Sequence, residues 1–181
     1  MDNNYSVLRC ENDFLWLKDA GIAIPVYNVD EPKIPLLLSK NNKLLKLFAN
    51  DVGLLCYRLL STGIQEKILA HEKDINFGGI FENVAAQELL YHAFDYNALF
   101  YFSSKKQGRV DFLITYQDEV LPIEIKSGKD YKEHSALNNL ISKKEYDIHQ
   151  ALIFGNCNVE IRGEETYLPI YMIDFLRQET I

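Results

Sequence analysis

Asp111, Glu124 and Lys126 are the residues whose types and spacing point most directly to chemistry. Asp111 lies thirteen positions before Glu124, and Lys126 follows Glu124 by two. Carboxylate oxygens are the ligands that a hard divalent cation such as Mg²⁺ prefers. An ammonium group can neutralise charge that develops on a phosphate. Together, the three residues predict a site for a divalent cation and a phosphate group.

A β-hairpin is the element that would bring these side chains together. Apolar and polar residues alternate in 110–115 and again in 121–126, and the polar, turn-like segment 116–119 separates the two runs. Because successive side chains of a strand point to opposite faces, Glu124 and Lys126 share one face, with Ile123 and Ile125 on the other. The three charged groups converge if the hairpin register brings Asp111 to that same face.

Glu82 adds a third carboxylate from a predicted helix, residues 80–94. This segment is apolar around most of its circumference, as is typical of a buried helix. The helical neighbours of Glu82 are Ala85, Ala86 and Leu89, so its carboxylate lies within apolar surface. Burying an unpaired carboxylate is costly, and the pattern therefore predicts a partner for Glu82.

The remaining elements predict an α/β fold with a mixed sheet and helices packed on it. The polar segment 71–76 and Gly78-Gly79 favour a boundary between residues 76 and 77, after a small helical and irregular N-terminal lobe. The other predicted helices are 5–20, 52–60 and 134–146, with a helical turn at 174–178. The other predicted strands are 44–48, 99–102, 151–154 and 167–173, and residues 22–35 are predicted to be extended or irregular.

Composition limits the classes of function. The formal charge of −7 and the pI near 5.1 argue against a protein that coats nucleic acid through bulk electrostatics. Residues 103–132 hold six cations against five anions, which allows a locally positive rim around the hairpin. The three cysteines have no metal-ligand spacing and are predicted to be reduced thiols. No apolar run is long enough to span a membrane, which indicates a cytoplasmic protein without a membrane partner.

Two further groups of residues were considered. The lysines at 40, 43 and 46, with those at 143 and 144, are interpreted as solvated cations that could contact a phosphate backbone. The four histidines have no shared spacing and are interpreted as surface or partly buried residues rather than metal ligands.

Several segments together resemble two related groups of proteins. The pattern of Glu82, Asp111 and Glu124-Ile125-Lys126 resembles the PD-(D/E)XK (restriction-endonuclease-like) nuclease superfamily, with Val110 where the literal motif has proline. More closely, the chain resembles the C-terminal domain of prokaryotic P-loop (AAA-type) ATPases. The segments that carry this second resemblance are Asp51–Leu55, Gly79–Leu89, Arg109–Phe112, Pro122–Gly128 and Leu168–Tyr171.

The resemblance implies a restriction-endonuclease-like core in residues 77–181 and catalytic roles for Glu82, Asp111, Glu124 and Lys126. It implies that Mg²⁺ or Mn²⁺ is held by Asp111, Glu124 and Glu82 together with the backbone carbonyl of Ile125. Residues 1–76 would then be a lobe that continues from an ATPase or helical region. No Gly-x-x-x-x-Gly-Lys-Ser/Thr loop occurs in this sequence, so ATP would bind only to a longer protein that carries the ATPase core.

Three functions are compatible with these features. The first is a nuclease-like domain that cleaves DNA phosphodiesters with Mg²⁺. The second is a non-catalytic module that recognises DNA or a protein partner and is coupled to the ATPase. The third is an oligomerisation domain in which Glu82, Asp111, Glu124 and Lys126 form a buried ionic network. A short Glu-x-Lys motif alone is also compatible with an ordinary ion pair on a strand.

Overall fold

Eight strands form one mixed β-sheet in the computed structural model, which describes residues 11–70, 77–91, 98–128 and 130–177. The strands are β1 Ala23–Val29, β2 Lys40–Ala49, β3 Phe100–Ser104, β4 Gly108–Tyr116, β5 Glu119–Ile125, β6 Ala151–Gly155, β7 Glu160–Arg162 and β8 Glu165–Pro169. The helices are α1 Glu11–Asp19, α2 Val52–Leu59, α3 Thr62–Leu69, α4 Gly78–Tyr91 and α5 Ser135–Ile141. Within these ranges, 3₁₀ helices cover Leu36–Ser39, Lys144–Tyr146 and Ile170–Phe175.

The sheet order is β2-β1-β3-β4-β5-β6-β8-β7. The pairs β1/β3, β5/β6 and β6/β8 are parallel, and the other neighbouring strands are antiparallel. The predicted α/β class and mixed sheet are therefore confirmed. Strand β2 lies at one edge of the sheet, next to α2, α3 and α4 in the chain.

The predicted hairpin is formed by β4 and β5. Its register pairs Phe112 with Ile123 and Tyr116 with Glu119, which leaves a loop of two residues. Both loop residues, Gln117 and Asp118, have positive φ angles, of 49° and 62°. This is the backbone that the favoured two-residue hairpin turn requires, because its twist matches that of the strands.

Apolar side chains cover both faces of the sheet. The α4-side core packs beneath α4 and contains Ile24, Phe48, Leu89, Phe112 and Ile123. The α5-side core includes Val110, Leu113 and Ile153 from the strands together with Leu137 and Leu140 from α5. Buried apolar surface on both faces is the main favourable contribution to the stability of such a layered fold.

Most predicted elements are present with different bounds. The helix predicted over 80–94 is α4, and residues 92–94 lie outside the described ranges, as do residues 5–10 of the first predicted helix. The helix predicted over 134–146 is divided into α5 and the 3₁₀ helix Lys144–Tyr146. The strand predicted over 44–48 corresponds to β2, and the helix predicted over 52–60 corresponds to α2.

The strand predicted over 167–173 is wrong beyond Pro169. Strand β8 ends at this proline, and the chain continues as the 3₁₀ helix Ile170–Phe175. Proline has no backbone N–H to donate to a neighbouring strand, and it therefore favours the end of a strand. Strand β7 and helix α3 were not predicted. Strand β7 is only three residues long and mostly polar, so its sequence carries little strand signal.

Strands from both sides of the predicted boundary at residues 76 and 77 belong to one sheet. Strand β1 pairs in parallel with β3, with Tyr27 aligned to Phe100 and Asn28 to Tyr101. Residues 71–76 themselves lie outside the described ranges, and the boundary stays a prediction. None of the helices in the described ranges has the length and apolar character needed to cross a membrane.

Candidate functional site

A β-bulge in β4 positions Asp111. Strand β3 pairs Phe100 with Leu113 and Phe102 with Val110, so that Asp111 and Phe112 both lie opposite Tyr101. A bulge of this kind re-aims the side chains next to it. Asp111 is buried, and its Oδ2 accepts a hydrogen bond from the backbone N–H of Ile125 at 3.1 Å. The carboxylate is thereby held against the adjacent strand β5.

Glu82 reaches the same place from α4. Its helical neighbours Ala85, Ala86 and Leu89 are fully buried, as the sequence predicted. Its carboxylate accepts hydrogen bonds from Lys46 Nζ, at 3.1 Å, and from Arg109 Nη2, at 3.0 Å. The predicted need of Glu82 for a partner is confirmed, and the partners in the structure are two cationic side chains of this chain.

Lys46 and Arg109 each bridge Glu82 and Asp111. Lys46 Nζ lies 3.6 Å from Asp111 Oδ1, and Arg109 Nη2 donates a hydrogen bond to the same oxygen at 3.3 Å. We call these four residues the Glu82–Asp111 cluster. It contains two carboxylates and two cations, and its formal charge is therefore balanced.

The interpretation of Lys46 as a solvated cation is wrong. Its side chain is only 16% exposed, whereas that of Arg109 is 53% exposed. Strand alternation explains the inward direction, because Lys46 lies two residues from Phe48, a member of the α4-side core. That alternation in 45–48 was a signal in the sequence, but the charge of Lys46 argued for an exposed position.

Glu124 and Lys126 form an ion pair, which is the ordinary interpretation of a Glu-x-Lys motif. Lys126 Nζ lies 3.0 Å from Glu124 Oε1, and Glu124 is only 7% exposed. The second oxygen, Oε2, is buried and has no hydrogen-bond partner in the part of the chain that the structure describes. A buried carboxylate oxygen without a partner is costly, and a bound cation would supply the partner.

The carboxyls of Asp111 and Glu124 influence each other's ionisation. Burial, together with the charge of Asp111, raises the pKa of Glu124 to about 7, while Lys126 opposes both effects. Burial also raises the pKa of Asp111, with Glu82 acting in the same direction and Lys46 in the opposite one. Raised pKa values are expected where carboxylates are crowded in a place of low polarity.

One carboxylate oxygen at this place is open to a divalent cation. Within the described ranges, no group of three or more His, Cys, Asp or Glu side chains is arranged to hold a metal ion. Mg²⁺, however, is usually held by one or two carboxylates and retains several waters. Glu124 Oε2, which has no hydrogen-bond partner among the described residues, could serve as one such ligand, whereas both oxygens of Glu82 and Oδ1 of Asp111 already lie against Lys46 or Arg109.

The family comparison places this site within a recognised domain. Residues 77–173, more than half of the chain, match a family model described as Domain of unknown function (DUF4143). The chain belongs to the DUF4143 family. The searches of curated proteins and of solved structures gave no significant match.

The DUF4143 match covers only part of the site. Glu82, Arg109, Asp111, Glu124 and Lys126 lie inside the matched range, and Lys46 lies 31 residues before its first residue, Phe77. Lys46 on the edge strand β2 therefore contributes a cation to the Glu82–Asp111 cluster from outside the matched range. Sequence reasoning missed the ionic roles of Lys46 and Arg109, because neither residue is adjacent in the chain to Glu82.

A second buried polar group of the DUF4143 region also escaped sequence reasoning. His134 Nε2 lies 2.8 Å from the Tyr167 hydroxyl, and that hydroxyl donates a hydrogen bond to Glu165 Oε2 at 2.7 Å. The other ring nitrogen of His134 lies 3.0 Å from Asn138 Oδ1. These contacts join α5 to β8 and satisfy a buried histidine. His149 is exposed, as predicted, and His71 and His92 lie outside the described residues.

Two of the three cysteines are described, and both are free. Cys56 and Cys157 are partly buried, in agreement with the prediction of reduced thiols, and Cys10 lies outside the described ranges.

Proposed function

We propose that this chain is the nuclease-like C-terminal domain of a P-loop ATPase, and that it cleaves DNA phosphodiesters with Mg²⁺ or Mn²⁺. The observation that carries the proposal is the buried Glu124 Oε2, which has no hydrogen-bond partner among the described residues, with Lys126 on the other oxygen and the charge of Asp111 acting on the same carboxyl. Membership of DUF4143, a domain found in AAA-ATPase-associated proteins, supports the ATPase link. ATP would bind to the ATPase core of a longer protein.

A restriction-endonuclease-like core is the fold we propose for this function. The order of α4, the strands β3 to β5, α5 and β6 supports it, because one helix and two adjacent strands then supply the charged residues. In that arrangement Glu82 comes from the helix, Asp111 from β4, and Glu124 with Lys126 from β5 and its continuation.

Each residue has a distinct role in the proposed reaction. Asp111 and Glu124 hold the cation, which would polarise the phosphate and lower the pKa of a water bound to it. Lys126, whose Nζ is already directed to Glu124, neutralises charge on the phosphate or orients the attacking water. Glu82 acts through Arg109 and Lys46, which hold the Asp111 carboxylate in place.

Cleavage of plasmid and single-stranded DNA with Mg²⁺ or Mn²⁺ tests the proposal. We expect Asp111→Asn, Glu124→Gln and Lys126→Met each to reduce the rate by about 10²–10³-fold, as for the loss of one preorganised electrostatic group. Lys33→Met makes the same change at a half-exposed lysine outside the matched residues 77–173 and should leave the rate unchanged. Melting temperature and metal binding of each variant should show that the protein remains folded.

Two outcomes would contradict a nuclease. One is cleavage that persists in all three variants, which would indicate a contaminating enzyme. The other is the absence of cleavage of either DNA by folded wild-type protein with either metal.

A non-catalytic recognition module is the second candidate. The neutral Glu82–Asp111 cluster favours it, and so does an apolar groove of about 690 Å³ between β2, α2, α3 and α4, lined by Leu47, Leu55, Leu59, Ile64 and Ile80. The net charge of −7 favours a protein partner over nucleic acid. DNA affinity that falls steeply with salt, without cleavage, would instead support recognition of DNA.

A further inference from the structure

Lys46 Nζ lies in a small cage of oxygen atoms and aromatic rings. It is 3.1 Å from Glu82 Oε2, 3.6 Å from Asp111 Oδ1 and 3.4 Å from the backbone carbonyl oxygen of Asp111. The ring centroids of Tyr101, Phe112 and Phe48 lie 5.2, 5.7 and 5.9 Å from the same nitrogen. Two carboxylates and one backbone carbonyl are oxygen donors of the kind that a hard metal cation uses.

The fold holds Lys46 in this cage firmly. Strand β2 pairs with β1, and Lys46 is aligned with the fully buried Val26. Its ammonium nitrogen lies within about 6 Å of three aromatic ring centroids, and such rings attract a cation. Arg109, the other cation of the Glu82–Asp111 cluster, is half exposed and can rotate toward solvent.

We propose that Lys46 is a tethered cation that takes the place of a metal ion between Glu82 and Asp111. The proposal rests on the proposed function only in giving the Asp111–Glu124 pair to a divalent ion. A second positive ion a few ångströms from the Lys46 ammonium would be strongly repelled at this degree of burial. Lys46 therefore confines divalent ions to the Asp111–Glu124 side and withdraws Glu82 from the ligand set.

Replacing Lys46 by an uncharged side chain should open a metal site. In Lys46→Met, Glu82, Asp111 and the Asp111 carbonyl lose their tethered cation but keep their positions on α4 and β4. We expect this variant to bind one more Mn²⁺ ion per chain than the wild type, and to gain melting temperature on addition of Mn²⁺. The added ion should be lost again in the double variant Lys46→Met with Glu82→Gln, which removes a ligand charge.

Titration of the full chain with Mn²⁺, followed by electron paramagnetic resonance of the free ion and by calorimetry, measures the stoichiometry. Lys46→Arg keeps the charge and should bind as many ions as the wild type. Lys43→Met makes the same substitution at an exposed position of β2 and is the matched control. Lys46→Gln, which keeps a hydrogen-bond donor for Glu82, serves as a second neutral variant.

Each outcome decides the proposal. A lower melting temperature in both neutral variants, with no additional Mn²⁺ and no recovery on adding it, would mean that Lys46 is only a structural ion-pair partner. If the neutral variants fold only with Mn²⁺, the ion replaces the ammonium and the proposal holds; if they fail to fold even with Mn²⁺, it is overturned. A wild type that binds no Mn²⁺ would contradict the proposed nuclease, while a gain of one ion in Lys46→Met would still support the tethered cation.

Discussion

At the scale of single residues, the fold changes the acidity of the candidate site. Glu124 has one oxygen paired with Lys126 and one buried oxygen without a hydrogen-bond partner among the described residues, so its ionised form is poorly stabilised. Burial accordingly raises the pKa of Glu124 to about 7. A carboxyl that titrates near neutral pH is suited to bind a divalent cation, because the ion replaces the proton as pH rises.

The stability of the protein without metal should therefore depend on Glu124 and pH. The pKa of Glu124 is about 7 in the folded protein and near its ordinary value of 4.5 in the unfolded chain. Between these values the folded state binds more protons, so its stability is fully present below about pH 4.5 and falls as pH rises to about 7. Glu124→Gln should remove this part of the slope, which is at most about 1.4 kcal/mol per pH unit.

Urea denaturation in the presence of a chelator, from about pH 5 to about pH 7.5, measures this slope. Asp111→Asn provides a comparison, because burial raises the pKa of Asp111 in the same direction. Equal pH slopes in the wild type and in Glu124→Gln would show that Glu124 ionises freely in the fold. Added Mg²⁺ should restore stability of the wild type at the upper end of this range.

At the scale of elements, helix α4 and strand β2 connect the candidate site to the edge of the sheet. Asn83 follows Glu82 on α4 and is buried. Its amide accepts a hydrogen bond from the Ala49 N–H at 2.7 Å and donates one to the Ala49 carbonyl at 2.8 Å. These two bonds reproduce the pattern of a neighbouring strand at the end of β2, and they hold β2 against α4.

Asn83→Ala should therefore destabilise the protein. It leaves an N–H and a carbonyl of Ala49 without their partners, which costs about 1–3 kcal/mol for each group that water does not reach. Asn83→Asp keeps the acceptor but not the donor, and it should fall between the wild type and alanine only if its added charge is tolerated. Asn42→Ala, at an exposed position of β2, is the control. Chemical denaturation measures all three, and equal stability of Asn83→Ala and wild type would contradict the role of Asn83.

At the scale of the whole molecule, one sheet joins the regions before and after the predicted boundary. Ile24 of β1 and Phe48 of β2 pack in the α4-side core with Leu89 of α4. The Glu82–Asp111 cluster likewise takes Lys46 from β2 and the other three residues from beyond residue 77. These contacts indicate that the two regions stabilise each other.

We expect both regions to unfold in one transition. Ile24→Ala and Leu89→Ala remove fully buried side chains on the two sides of the boundary, and each should cost about 2–5 kcal/mol. Both variants should lower the midpoint of the same calorimetric transition. Leu38→Ala, at a position that is 83% exposed, should change stability by about 0.5 kcal/mol or less. Separate transitions, each affected by only one core variant, would instead support an independent N-terminal lobe.

Local patterns in the sequence were sufficient for the hairpin and for α4. Strand alternation and helical periodicity involve residues within a few positions of one another, and the physical preference is therefore visible in the sequence itself. The need of Glu82 for a partner was also predictable, because it follows from the cost of burying a carboxylate. The residue types of the candidate site are thus a property of the sequence alone.

Only the tertiary structure decided which groups meet. Lys46 reaches Glu82 across 36 positions of the chain, and the bulge that positions Asp111 depends on the register between β3 and β4. Neither contact follows from a local pattern, because strand register and burial are set jointly by the packing of the whole sheet. For this reason the sequence alone determined which charged residues the site contains. The fold determined that Lys46 and Arg109 neutralise Glu82 and Asp111. It also left one oxygen of Glu124 without a partner among the described residues.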